Sequence, residues 1–501
     1  MSVAGLAMEA SLGHILGSGP SNAAVDNLAH RLDQISRSAC ARYNSRNKNG
    51  GPCMRHKLVV RGYNKQRELA AFMSLLEDPD FVPANPGTQK NPWQLDLSVA
   101  YWLLVLLRSR ARGVHVLDPD DSEELHCLQI QIDQRDDLKH LRAVAVGRMS
   151  WHRLRQKEDL DSLLRNQISA LMNTIVNTAD ILCVTPAKAV SKRDGYAEWA
   201  RKKARGVLID EAANMHRGDI GCVWGNCLLP CILGGDARQL APLVVTGDEK
   251  DSAGNLYNRH VQDGKLSALT FLQTSGLPVY RLRTQLRMAN GLFDWVSEQL
   301  YRERFAYGPA CAIDLPEFKA GRLLEGFFQA RFPTLRAPPR GKFLPIFVHC
   351  EGAAVYFDQR TGSRKAPKQV STALDIAVDL VTTGINPSRI TILSPYAANV
   401  DLIGRSRREA KYRPLISMGP ACTVDSFQGQ ENDIIIVVMG TAFPKPGPGF
   451  TSDPHRLNVL LTRQRCGLVV VGNINIYGQP DDAARGQKRT WHTFSRLPSP
   501  W

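Results

Sequence analysis

In RGVLIDEAANM, residues 205–215, a wholly apolar run meets two adjacent acids. Gly206–Ile209 is apolar at every position and ends abruptly in two acids, Asp210 and Glu211. A short run with no polar alternation reads as a strand buried on both faces, as in parallel sheets covered by helices. Such sheets bind ligands beyond the carboxyl ends of their strands, so a carboxylate placed there faces the binding crevice. One acid of such a pair can hold Mg2+ through water while its neighbour orients or deprotonates an attacking water, as nucleotide hydrolysis requires. Taken alone, the pair also reads as the charged first turn of a helix.

Working outward, CILGGDARQLAPL (Cys231–Leu243) repeats the pattern: an apolar strand ends in Gly-Gly-Asp236, with Gln239 three residues later and a proline closing the turn. Gln239 is a neutral donor and acceptor suited to sensing a phosphate or its water. Further strands are expected at Ile181–Val184, Arg389–Leu393, Ile434–Met439 and Leu468–Val471. Helical patterns fall at Ala24–Ser36, Lys65–Leu76, Leu95–Arg110, Asp159–Thr178, Gly291–Tyr301 and Val370–Thr382. Strands alternating with helices indicate an α/β fold with parallel sheets. The stretches 41–58, 77–92 and 331–345, rich in polar residues or proline, read as loops or domain margins.

The 501 residues carry 63 Lys and Arg against 48 Asp and Glu, a formal charge of +15. With 43% apolar and 22% charged residues, the chain has material for large cores, and its basic balance favours a polyanion partner, nucleic acid first. Eleven cysteines, an odd number without paired spacing, read as reduced thiols, and no stretch is apolar enough for a membrane span. Cytoplasm or nucleus is the expected compartment.

Three more segments carry chemistry. VYRLRTQLRM (Val279–Met288) alternates basic and apolar residues, and Arg287 offers a planar, multi-donor head to a phosphate. ACTVDSFQGQENDIIIVVM (Ala421–Met439) joins a polar glycine turn and Glu431 to a fully apolar strand. RLNVLLTRQRCGLVVVGN (Arg456–Asn473) sets Arg456, Arg463 and Arg465 before another. Arginines at a sheet edge suit charge developing on a transferred phosphoryl group.

Taken in order, GPSNAAVDNLA (Gly19–Ala29), ADILCVTPA (Ala179–Ala187), LIDEAANM, GGDARQLAP, LRTQLRM, ITILSPYAANVDLI (Ile390–Ile403), TVDSFQGQENDIIIV and RLNVLLTRQRCGLVVVGN resemble superfamily-1 helicases. The nearest group is the 5′-to-3′ branch containing senataxin and the nonsense-mediated-decay helicase. The resemblance implies two RecA-like P-loop NTPase domains: residues 1–280, with a helical insertion at about 31–170, and residues 281–478, followed by a loosely ordered tail at 479–501. It further implies ATP and Mg2+ as cofactors and single-stranded RNA or DNA as partner. By matched motif, Asp210 would position Mg2+, Glu211 would activate water, and Gln239 would couple the γ-phosphate to strand movement. Arg287 and Arg463 would reach the γ-phosphate, with Glu431 and Asp236 near the nucleotide. Ser21, Asn22, Thr185, Pro395, Tyr396, Thr423 and Ser426 would line the nucleic acid.

Three departures stand against that pattern. No G-x-x-x-x-G-K-[ST] loop, the usual phosphate cradle, occurs in the 501 residues. The near misses at Gly264-Lys265 and Gly341-Lys342 lack the following hydroxyl. In the family the loop precedes the GPSN block, so the chain reads as a helicase without its front end and without the P-loop strand of its first sheet. A weakly stable first domain with an exposed apolar groove is the corresponding expectation, and a non-hydrolysing nucleic-acid-binding or scaffold subunit is the competing reading. Leu286 stands where the family usually has Tyr, and Gln369 where an acid is often found.

Overall fold

The computed structural model describes residues 1–501 except 48–52, 82–93, 158–160, 226, 245–248, 444 and 477–501. The expected tail and most of the 77–92 stretch therefore lie outside the described residues. The chain divides into two compact units: Met1–Ala237 with Ala241–Leu277, and Arg238–Leu240 with Pro278–Trp501.

The first unit is built on five short strands: β1 (Ile15–Ser18), β2 (Val59–Arg61), β3 (Ile181–Cys183), β4 (Gly206–Ile209) and β5 (Cys231–Leu233). They form one sheet in the order β2-β3-β1-β4-β5, and every pairing is parallel. The central strands are sealed on both faces, with Ile15, Ile181, Leu182, Leu208 and Ile209 at 0% exposure. At the β5 edge, by contrast, all three residues are only half-buried.

Ser21 caps the 25-residue helix Asn22–Arg46, its hydroxyl accepting from the Ala24 N–H at 3.2 Å. That cap satisfies one of the orphan donors of the first turn. Between β2 and β3 the described residues are mainly helical, and the hub of that region is Val99–Leu106, in which every residue is buried.

The second unit holds β6 (Thr284–Gln285), β7 (Ala306–Tyr307), β8 (Ile346–His349), β9 (Tyr356–Phe357), β10 (Arg364–Lys365), β11 (Ile390–Ser394), β12 (Cys422–Thr423), β13 (Asn432–Val438) and β14 (Gln464–Gly472). Its main sheet runs β12-β11-β13-β14-β8, again wholly parallel. Two small pairs stand apart, β6 with β7 in parallel and β9 with β10 as an antiparallel hairpin. The β-branched run Ile434–Val438 lies at 0% exposure, the environment such side chains fit best.

Several sequence expectations needed correction. The stretch 41–58 is not all loop: the first long helix runs on to Arg46. The helix expected over Leu95–Arg110 is held to Val99–Leu106, because Leu97 and Arg108 take left-handed backbone angles, φ 60° and 53°. The helix expected at Gly291–Tyr301 begins only at Asp294, after Gly291 at φ 96°, and widens into a π turn over Ser297–Tyr301. The strands β1, β2, β6, β7, β8, β9, β10 and β12 fall outside the strands expected from sequence.

Candidate functional site

In the first unit, parallel pairing brings the carboxyl ends of β1, β3, β4 and β5 to one edge, and the polar blocks of the sequence follow those ends. The Asp210 N–H donates to Ser18 O at 2.9 Å, and the Ser18 hydroxyl donates to Val184 O at 2.7 Å. These bonds set the Gly19–Asn22 turn, the acid pair and Thr185 side by side. Ala212 N–H donates to Gly234 O at 2.8 Å, tying the acid pair to the Gly-Gly-Asp236 turn. A Cβ on Gly235 would lie 2.8 Å from the Ala213 nitrogen, so only glycine allows this approach. Ser21, Asn22, Thr185, Asp210, Glu211 and Asp236 thus share one sheet edge.

Glu211 sits at φ 53°, a left-handed conformation uncommon for a side-chain-bearing residue and concentrated at functional sites. Asp210 is half-buried, and burial pushes its carboxyl pKa above the usual value, against a backbone hydrogen bond from Glu211 that lowers it. Among the described residues the amino group of Met1 is the one charge acting on Asp210, and it also lowers the pKa. A carboxylate whose charge is penalised in this way fits a divalent cation held through water.

A feature the sequence reading missed lies directly behind this edge. Arg61, only 2% exposed, donates from Nε to Asp26 Oδ1 at 2.7 Å and from Nη2 to Asn22 Oδ1 at 2.9 Å. The Tyr63 hydroxyl donates to the same Asp26 oxygen at 2.7 Å, and the Arg61 guanidinium lies 3.9 Å from the Tyr63 ring centroid. The Asn22 side chain is thereby fixed by a buried ion pair. The only sequence signal was the arginine that ends the apolar run Leu58–Val60.

In the second unit the predicted residues fall on two opposite edges of the sheet. Glu431 immediately precedes β13 and Arg463 immediately precedes β14, which places both at the amino edge. Arg287 joins them there: its Nη2 donates to Thr462 O at 2.6 Å, and its Nη1 lies 3.5 Å from Glu431 Oε2. Arg465 approaches the other Glu431 oxygen at 3.9 Å. Arg463 is 2% exposed, donating to Val459 O at 3.0 Å and to Gln239 Oε1 at 3.2 Å. Gln239 belongs to the short piece Arg238–Leu240 that groups with this unit, and the His455 ring nitrogen meets its carbonyl at 2.8 Å. The Leu286 side chain is exposed, and Lys342 of the near-miss Gly-Lys pair is bound to Asp294 at 2.8 Å.

At the carboxyl edge lie Pro395 and Tyr396, after β11, and Thr423 and Ser426, at and beyond β12. Register pairs Ser394 with Thr423, so the two blocks are adjacent. The Ser426 hydroxyl accepts from Thr423 N–H at 3.0 Å and shapes a tight turn. Tyr396 is 3% exposed, so its ring is internal, while Pro395 is half-buried. Gln369 is fully buried: its amide donates to Thr441 O at 2.7 Å, and its oxygen accepts from Gly440 N–H at 2.9 Å. An ionised acid here would lose the donated bond, which accounts physically for an amide at this position.

Comparison with known proteins adds a second line of observation. Two protein-family profiles, each described as an AAA domain, match residues 6–247 and 265–475. The chain is 29% identical over 316 residues to the "Regulator of nonsense transcripts 1 homolog" of Drosophila melanogaster, covering 62% of this chain and 24% of that protein. It is 27% identical to the "ATP-dependent helicase upf1" of Schizosaccharomyces pombe, covering 62% and 30% respectively. It is 25% identical to "Helicase sen1" of the same yeast, covering 71% and 19%. The chain therefore spans about a quarter of the length of the curated relatives it matches. The two parallel sheets correspond to two RecA-like domains, and among the described residues no helix is long and apolar enough to cross a membrane.

Proposed function

Because the chain is a homologue of superfamily-1 helicases of the nonsense-transcript-regulator and Sen1 type, we propose that it serves a nucleic-acid-dependent, ATP-driven helicase or translocase. The observation that carries this reading is the gathering of Ser21, Asn22, Thr185, Asp210, Glu211 and Asp236 at one carboxyl edge of a parallel sheet, where α/β folds take their ligands.

In this reading Asp210 would be the residue that holds Mg2+, and Glu211 would orient the attacking water and accept its proton. When bound, Mg2+ and ATP supply the phosphoryl group and offset its negative charge. Arg287 and Arg463 are the cationic side chains of the second unit assigned to the γ-phosphate, and Gln239, hydrogen-bonded to Arg463, links that arginine to nucleotide state. Glu431 orients Arg287, and Asp236 stands at the turn beside the acid pair. Ser21, Asn22, Thr185, Pro395, Thr423 and Ser426 present hydroxyls, amides and turn backbone to a phosphodiester chain without reading its bases, and Tyr396 supports them from inside.

Titration of the chain with a labelled single strand over a series of salt concentrations tests the nucleic-acid part. Binding whose logarithmic affinity falls linearly with log salt, with a slope of about −0.7 per phosphate contacted, is expected. Absence of binding at low salt would contradict it. One observation favours a second reading, a non-hydrolysing strand-binding subunit: the phosphate-cradling Gly-Lys-[Ser/Thr] loop does not occur in the 501 residues. ATP turnover by this chain removes that reading, and strand binding without turnover supports it.

A further inference from the structure

The second unit carries a row of rings and guanidinium groups that the motif residues do not explain. Arg364, on the hairpin strand β10, is 8% exposed, and its guanidinium lies 5.9 Å from the Phe357 ring centroid and 5.0 Å from that of Tyr396. The Tyr396 ring lies 5.5 Å from the Phe450 ring, tilted by 34°, and Arg456 closes the row 4.8 Å from Phe450. Phe357, Arg364, Tyr396, Phe450 and Arg456 thus form one row, with the adjacent Tyr396 and Phe450 rings between two guanidinium groups and Phe357 beyond the first, across the β9–β10 hairpin, the end of β11, the loop after β13 and the helix Pro454–Leu460.

The row is fixed by hydrogen bonds. Arg364 donates to Gly447 O at 2.6 Å and Pro446 O at 3.0 Å, while the Tyr396 hydroxyl accepts from Phe450 N–H at 3.2 Å. Gly449 sits at φ 56°, and a Cβ there would fall 2.3 Å from the Tyr396 hydroxyl and 2.5 Å from Arg364 Nη2. No other residue allows the loop to approach so closely. Ser363 Oγ accepts from Ala398 N–H at 3.1 Å and anchors the hairpin to the helix after β11.

The inner members of this row are packed, but the outer rings are not: Phe357 is 59% exposed and Phe450 50% exposed. Two large exposed rings on a rigid support have no folding benefit in proportion to their area. The Phe357 end is basic: on the hairpin Arg360, Arg364 and Lys365 outweigh Asp358, which pairs with Lys365, and Lys368 follows on the next helix, whereas at the Phe450 end Arg456 is matched by Asp425 and Asp453, 3.8 and 3.9 Å away. Rings interleaved with cations match a strand of flat bases on an anionic backbone. An apolar protein surface would not be matched by guanidinium groups in the same row.

We propose that Phe357 and Phe450 are base-stacking platforms for single-stranded nucleic acid, and that Arg364 is the positioning residue that holds Phe357, Tyr396 and the Pro446–Phe450 loop that carries the second platform. This rests on the single-strand reading above and extends it from backbone contacts to the bases. Stacking is tolerant of base identity, so RNA and DNA are both accepted and no sequence is selected.

The test measures binding of three labelled strands of about ten nucleotides to the whole chain by fluorescence anisotropy: oligo-U, oligo-dT, and an abasic deoxyribose-phosphate strand of equal phosphate number. Phe357→Ala and Phe450→Ala are each expected to weaken oligo-U and oligo-dT binding about tenfold. The abasic strand should change less than about twofold, because it keeps every phosphate contact. Phe450→Tyr keeps a ring and should bind within about twofold of wild type, which separates stacking from misfolding. Equal losses on base-bearing and abasic strands, or no loss on either, would overturn the stacking role while leaving the strand reading intact. Failure of the wild-type chain to bind any of the three would overturn that reading and this proposal with it.

Discussion

The two sheets share a strand count, a parallel pattern and a sealed centre but differ in strand length and in how their edges are built. In the first unit the strands are three or four residues long, and β5, at one edge, is half-buried along its whole length. In the second unit β13 and β14 run for seven and nine residues, and the centre of the sheet is closed to solvent. The first unit compensates with a buried polar network and a helical region grown between β2 and β3, whereas the second relies on long β-branched strands. The difference teaches that similar ligand-facing edges can be supported by unlike means. It also implies that the two units respond to different perturbations.

The largest expected effect breaks the polar support of the first unit. Arg61→Met strands the Asp26 carboxylate, 4% exposed, without its cation, which should cost about 3–5 kcal/mol. Urea unfolding should show the first unit's transition shifted and the second's unchanged. Uniform loss across both transitions would break the comparison. Next, Ile436→Ala in the closed centre of β13 should cost about 2–5 kcal/mol, seen in the second unit alone. Ile232→Ala on the half-buried β5 should cost only about 1 kcal/mol, and equal costs at the two positions would show that the β5 edge is covered in solution.

A pH experiment sharpens the same contrast with an effect of about 2–3 kcal/mol. Asp121 is 1% exposed. Burial pushes its carboxyl up, but hydrogen bonds from His115 and the Asp118 N–H, the charge of Arg37 and the hydrogen bond from His56 together hold it well below the ordinary carboxylate value. A depressed native pKa contributes stability that is present above the unfolded value of 3.8 and is lost as pH falls through the native one. Acid should therefore weaken the first unit progressively below about pH 4, and Asp121→Asn should remove that stability at neutral pH. Thermal melts of wild type and variant from pH 7 to pH 2 provide the check. A variant as stable as wild type at pH 7 would contradict it.

Much of this architecture was legible from sequence wherever a strand was wholly apolar. Gly206–Ile209 and Cys231–Leu233 have the expected limits, because Asp210 and Gly234 stop the runs sharply. β1 was not legible, although it is the middle strand of its sheet. Its four residues, ILGS, include only two apolar side chains, and Ser18 is tolerated in the core because its hydroxyl finds Val184 O. β14 begins earlier than its apolar run, at the fully buried Gln464, whose amide nitrogen donates to Leu461 O at 2.9 Å.

The candidate site was legible as a set of strand-end motifs, since strand ends of a parallel sheet must share an edge. What the motifs could not convey was direction within the second unit. Glu431 and Arg463 occupy the amino edge, opposite Tyr396 and Thr423, and this follows only from where each residue falls relative to its strand. Nor could they reveal Arg61 and Arg364, whose partners Asp26 and Tyr396 lie 35 and 32 positions away.

The most direct test of the central claim, that Asp210 and Glu211 form the hydrolytic end of a strand-dependent nucleotide site, is steady-state ATP hydrolysis by wild type and Glu211→Gln, each with and without a saturating single strand. Turnover should rise with the strand in wild type and fall about 100-fold or more in the variant, with strand binding unchanged. Strand binding without turnover in wild type, or equal turnover in the two proteins, would contradict it.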